Sequence, residues 1–239
     1  MQNTPTNARA NLVVWHITDS ALPTGAFAHS AGLETYIQRD EVHDPESYLR
    51  WLVGYLHQAT YGEALAVLLA VRLQAANLEQ EQAIVALREL DEICHATQTP
   101  QELRASMQAM GKRMAKVAKI MDADNALVDA YDAGLRKREF FGNPGIAAGL
   151  VLGAAGVDEH TAVSAYLMQM ANSMTQNAIR AIPLGQDAGQ RILIDVYEYL
   201  PKFAEETLAH DVADLGVSFP RLEIAQMEHQ YMRSRMFMS

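Results

Sequence analysis

Cysteine is almost missing from this sequence: Cys94 is the only one among 239 residues. A lone cysteine excludes an internal disulfide, and a chain that manages without them suits a reducing compartment. Long hydrophobic runs are missing too. The longest small-apolar stretch, 145–157, falls well short of the ~20 residues a membrane-spanning helix needs. The opening MQNTPTNARANLVV has no apolar run behind a basic start, so no signal peptide is expected. Basic residues are in deficit, 19 Lys and Arg against 29 Asp and Glu, for a formal net charge of −10. That balance argues against general binding to nucleic acid or to an anionic membrane. A cytoplasmic protein is expected. Period-two runs of β-branched residues are scarce, which argues against a sheet. The chain also lacks HExxH, a GxxxxGK[ST] phosphate loop and GxSxG, so it offers no familiar site for zinc proteolysis, nucleotide hydrolysis or a nucleophile elbow.

What is present is helical. Hydrophobic residues make up 49% and charged residues 20% of the chain, a globular profile. Asp44-Pro45-Glu46 predicts an N-cap, a proline at N1 and an acid in the first turn, and Tyr48, Leu49, Leu52, Tyr55 and Leu56 then form one apolar stripe. Thr99-Pro100-Gln101-Glu102 reads as a capping box ahead of Leu103, Met107, Met110, Met114 and Val117. Asp158 and Asp187 read as caps of two later helices, with Val163, Tyr166, Leu167 and Met170 inward on one and Ile192, Leu193, Val196 and Leu200 on the other. The expectation is one all-α domain over 1–239, a compact bundle of about nine or ten helices.

Several groupings have two readings. Gly145, Gly149 and Gly153 sit four apart, so they line one helix face where another backbone approaches closely, either within the chain or in a second subunit. Lys112, Arg113, Lys116 and Lys119 make a basic stripe, either a solvated face or a dock for an acidic partner; no aromatics are interleaved to favour DNA or RNA. Glu206, His210 and Asp214 share a helical face, either solvated or a weak metal contact. Cys94 reads as structural and His95 as a surface residue. His29 beside Ser30 raises a cofactor-independent hydrolase as an alternative.

Three stretches stand apart. DSALPTGAFAHSAGLE, from Asp19 to Glu34, is half apolar yet rich in turn formers. It reads as a turn feeding a short helix near Gly25, with Glu34 as an acceptor near the surface. In AIRAIPLGQDAGQRIL, Pro183 and Gly185 end one helix, and Gln186 and Gln190 are placed to satisfy open helix ends at the junction. The tail MEHQYMRSRMFMS holds four methionines, Tyr231, Phe237, Arg233 and Arg235, with no acid after Glu228. Flexible methionines and aromatic anchors suit an interface, and the tail, 227–239, is expected to order on a partner; packing on the chain's own core is the other reading.

Together these stretches resemble the urease accessory protein family UreF. The resemblance is carried by Asp19, Ser20, Leu22, Pro23, Gly25, Phe27, His29, Ser30, Gly32, Leu33 and Glu34, by Pro183, Leu184, Gly185, Gln186, Gly189 and Gln190, and by Met227, His229, Ser234, Arg235, Phe237 and Ser239. The tail departs from the family pattern at Gln230, Arg233 and Met236, where Glu, Tyr and Leu are usual. The resemblance implies a non-enzymatic homodimer that binds UreD (UreH in some organisms), recruits and regulates the GTPase UreG, and supports nickel delivery to apo-urease. It implies no tightly bound cofactor, nickel being handled by the complex. His29, Ser30, Glu34, Gln186, Gln190, His229, Arg233, Arg235 and Phe237 are then candidates for partner contact. Pro23, Gly25, Gly32, Pro183, Gly185 and Gly189 are candidates for shaping the backbone. A helical interaction module unrelated to urease is the remaining alternative.

Overall fold

The computed structural model describes residues 5–76 and 78–239; the first residues of the stretch searched for a leader lie outside them. All regular structure among the described residues is helical. In chain order the helices are α1 (Pro5–Thr18), α2 (Leu33–Gln38), α3 (Pro45–Ala59), α4 (Glu63–Ala75), α5 (Gln80–Ala96), α6 (Gln101–Met121), α7 (Ala126–Lys137), α8 (Pro144–Ala154), α9 (Glu159–Ala181), α10 (Gln186–Val196), α11 (Leu200–Leu208) and α12 (Pro220–His229). Single 3-10 turns occupy Ala26–Ala28 and Val212–Asp214. The all-α expectation holds. Glycine and proline punctuation cuts the chain into more short pieces than periodicity alone resolves, α2 and α11 among them. No described helix is long and apolar enough to cross a membrane.

The centre is the pair α4 and α8. A helix that is apolar on every side has to be buried on every side, and α8 is buried continuously from Pro144 to Leu152. Its glycine face lies on α4. A β-carbon on Gly149 would stand 2.5 Å from the Val67 carbonyl oxygen, and one on Gly145 would stand 2.7 Å from that of Glu63. The glycine stripe is therefore an internal crossing, and the subunit-contact reading of it is set aside. Around this pair pack α6, α9 and α1, with the long α9 also carrying α3, α10 and α11.

Local signals placed some helix starts and missed others. Asp44 accepts the Ser47 N–H at 2.8 Å and Asp158 accepts that of Thr161 at 2.9 Å, as expected of N-caps. Thr99 caps nothing: α6 begins after Pro100, and the Glu102 carboxylate is drawn away to His229 and Arg235. For α10 the N-cap is Gly185, and Asp187 falls in the first turn, where a negative charge still complements the helix dipole. The short helix expected near Gly25 is a 3-10 turn; the α-helix proper starts at Leu33, after Gly32. A buried carboxylate the periodicity did not reveal, Asp91, accepts the Tyr131 hydroxyl at 2.6 Å and the N–H groups of Phe141 and Gly142 at 2.6 and 3.1 Å, fixing the turn that launches α8.

Gly149→Ala should destabilise the protein by about 1–3 kcal/mol, the usual range for forcing atoms into a filled core. The check is chemical denaturation. An unchanged midpoint would mean that α4 and α8 separate easily.

Candidate partner-binding site

The opening motif and the tail, some two hundred residues apart, form one structural unit. Its centre is Glu34 in the first turn of α2, 7% exposed rather than at the surface as expected. Carboxylates are rarely buried unless paired, and this one is fully engaged. Oε1 accepts the Met236 N–H at 2.6 Å; Oε2 accepts the Phe237 N–H at 3.1 Å and faces His229 Nε2 at 3.1 Å. His229, at the end of α12, is completely buried. Its other ring nitrogen lies 2.8 Å from Glu102 Oε2, and Glu102 Oε1 accepts from Arg235 at 2.6 Å. The imidazole is thus held between two carboxylates. The row runs Glu34, His229, Glu102, Arg235. Burial alone would raise the Glu102 carboxyl, but the hydrogen bonds and charges of His229 and Arg235 prevail and hold it below its ordinary value.

The tail then runs beside the opening turn. Met238 donates its N–H to Ala28 O at 2.8 Å, Ser30 donates to Ser239 O at 2.5 Å, and His29 Nδ1 lies 2.8 Å from Ser239 Oγ. Asn177 of α9 donates to His29 O at 2.8 Å, tying the turn to the bundle. Gly32 has φ +92° and a β-carbon there would meet Gln226 Cγ at 2.9 Å, so conformation and space both require glycine. Gly25, at φ +90°, sits in open space and needs glycine for its conformation alone. The Pro23 carbonyl accepts from Arg113 at 3.1 Å, which anchors the turn to α6.

Not every candidate joins this unit in the expected way. Phe237, expected to anchor in a partner, is 4% exposed, and the Arg180 guanidinium lies over its ring at 4.9 Å from the centroid. The segment expected to order on a partner is thus packed on its own chain, Arg235 included. Arg233 is exposed and makes no ion pair among the described residues. Gly189 packs α10 on α9, where a β-carbon would meet Ile179 at 2.8 Å, whereas Pro183 and Gly185 are exposed at the bend. Gln186 and Gln190 are exposed and make no side-chain hydrogen bond to a described residue, so they do not hold the junction. The hydrolase alternative finds no geometry. Ser30 is completely buried with an unpartnered Oγ, and burial pushes the His29 imidazole below its ordinary value. Glu206 turns away from Asp214 to His57 and Tyr61, each at 3.0 Å. Among the described residues no group of three or more His, Cys, Asp or Glu is placed to hold a metal ion. His95 stacks on Phe141 with centroids 3.8 Å apart, and Cys94 is buried.

Beneath the opening turn lies a cavity of about 60 Å³, lined by Ile17, Leu22, His29, Met107, Met174 and Glu63, among others. That is room for a few waters. Glu63 lines this cavity, and burial pushes its carboxyl up to about 7 despite the hydrogen bond from Tyr166 at 3.1 Å.

His229→Ala should cost about 3–5 kcal/mol, because it strands two carboxylates that have lost their common partner; Arg235→Ala, at the rim, should cost far less. Thermal melts of the two variants distinguish them. Glu63 predicts the pH behaviour. Its folded pKa lies above the unfolded value of 4.5, so the folded state binds the proton more tightly and loses stability as pH rises from 4.5 through about 7. Glu63→Gln should therefore gain on the native protein across that window, by on the order of 2–3 kcal/mol at its upper end. Denaturation at acid and at mildly alkaline pH tests this, and a constant difference would refute it.

The UreF family model matches residues 42–197, well over half of the chain, from α3 through α10. The bend at Pro183 and Gly185 lies inside the match, while the opening motif and the tail lie outside it and are joined to it by the contacts above. The chain belongs to the UreF family of urease accessory proteins.

Proposed function

We propose that this protein is a non-enzymatic maturation chaperone that binds UreD or UreH, recruits and regulates the GTPase UreG, and so supports nickel insertion into apo-urease. Family membership supports the urease accessory role. The partner-binding reading is carried by the outer side of the unit just described. Phe27 is 67% exposed, Met236 58% and Met238 69%. A single exposed hydrophobic is ordinary on a protein surface, but a contiguous group marks a contact. These three lie on adjoining stretches of the docked tail and opening turn, linked through the Met238–Ala28 hydrogen bond. Tyr231, 79% exposed, and Arg233 extend the surface along the tail. Because the tail is already seated, a partner does not have to bear the whole entropy of ordering it.

The same reading has a cytoplasmic homodimer, with Leu12 and Trp15, exposed one turn apart on α1, as an apolar face for a second copy. Nickel passes through the complex as cargo, and no cofactor resides tightly in this chain. The buried Ser30 leaves no observation in favour of the hydrolase.

Phe27→Ser combined with Met238→Ser should weaken capture of UreD by roughly thirtyfold, the equivalent of ~2 kcal/mol at an interface centre. The melting curve should be unchanged, since both side chains face solvent. A pull-down with UreD and UreG beside a circular dichroism melt reads both, and undiminished capture would move the docking site off this surface. Cutting the chain before Met227 is a poor substitute, because it also removes His229 and unfolds the unit.

A further inference from the structure

One face of this acidic protein carries the opposite sign. Helices α6 and α7 pack side by side, and between them opens a cleft of about 250 Å³ lined by Lys112, Lys116, Asp132, Leu135, Arg136 and Arg138. Four cations meet one carboxylate. Asp132 is already taken by Arg136, one turn along α7. Neighbouring acids are committed elsewhere, Asp129 to Lys119 at 2.8 Å and Glu139 to Arg88 at 3.8 Å. Lys112, Lys116 and Arg138 are exposed and make no ion pair among the described residues. Arg138 is placed by its backbone. It ends α7 at φ +64°, with the Glu139 N–H closing on Gly134 O at 2.9 Å. Glycine normally fills that position because it adopts the left-handed conformation without steric cost; here an arginine stands there, and it lines the cleft.

We propose that this cleft docks an acidic segment of a partner protein, with the partner's carboxylates pairing to Lys112, Lys116 and Arg138 and its aliphatic carbons lying over Leu135. Charge complementarity favours this occupant over a nucleic acid. The lining contains no aromatic ring for bases to stack on, and a polyanion long enough to leave the cleft meets a chain of net charge −10. A short acidic segment senses only the cleft, since fields from more distant surface charges are screened within about 10 Å at ordinary salt. The proposal is independent of which maturation proteins the chain serves.

The test is fluorescence anisotropy of a dye-labelled oligoglutamate peptide titrated with the full chain at low salt. Lys116→Glu with Arg138→Glu should weaken binding at least about tenfold, and added salt should weaken the native protein's binding progressively. Arg50→Glu with Lys202→Glu changes the net charge equally at exposed sites outside the cleft and should leave the affinity within about twofold. If the cleft variant melts low, Lys116→Ala alone repeats the loss at smaller size. The proposal is overturned if the native chain does not bind the peptide, if cleft and control variants behave alike, or if an oligothymidylate strand binds the cleft more tightly than the peptide does. No urease protein enters this experiment, so its failure is separate from any failure of UreD capture.

Discussion

A single buried carboxylate holds the two ends of the described chain together. Glu34 accepts two backbone N–H groups from the tail and faces the imidazole of His229. Each of these partners would be costly to bury alone, and the carboxylate most of all. Brought together, with Glu102 and Arg235 completing the row, each polar group finds a partner. Removing any inner member leaves its neighbour desolvated and unpaired. The opening turn, the end of α12 and the seated tail therefore stand or fall together, and so does the surface that Phe27, Met236 and Met238 present.

The rest of the molecule serves as a platform for that unit. The glycine face of α8 lets α4 approach until backbone meets backbone, and the resulting core leaves little freedom for the helices around it. On this base α9 offers Asn177 to the opening turn and Arg180 to the ring of Phe237. α6 offers Arg113 to Pro23 and Glu102 to His229. Long helices anchored in the core thus supply the polar groups that position a segment with little regular structure of its own.

Legibility followed the range of the forces involved. Amphipathic period and side-chain caps act within a few residues, so the helices themselves and the caps Asp44 and Asp158 were visible in the sequence. The Thr99–Glu102 box does not form because a tertiary partner outcompetes a local hydrogen bond: Glu102 pairs with His229 and Arg235 and not with its own helix end. Sequence alone suggests a surface Glu34, because the three donors that justify its burial come from residues far along the chain. The bend forms without side-chain hydrogen bonds from Gln186 or Gln190, both of which are exposed. In the tail, methionine and aromatic content signalled an interface, but the pattern that matters is alternation. Met236 and Met238 face out while Phe237 and Ser239 face in, the period of an extended segment laid along a surface. The family match points to urease maturation; no spacing of residues in one sequence carries that information.

The span between Glu34 and its donors also sets an order of events during synthesis. Residues 28–34 leave the ribosome some two hundred residues ahead of residues 229–239, which supply the N–H groups and imidazole they require. The equilibrium penalty for so wide a ring is modest, since closure entropy grows only with the logarithm of its length. The delay is long, because translation proceeds at about 5–20 residues per second. The glycine-crossed core has all its parts earlier, while the opening turn still waits with its carboxylate unpaired. A chain halted before Glu228 has the glycine-crossed core but lacks the donors that Glu34 requires.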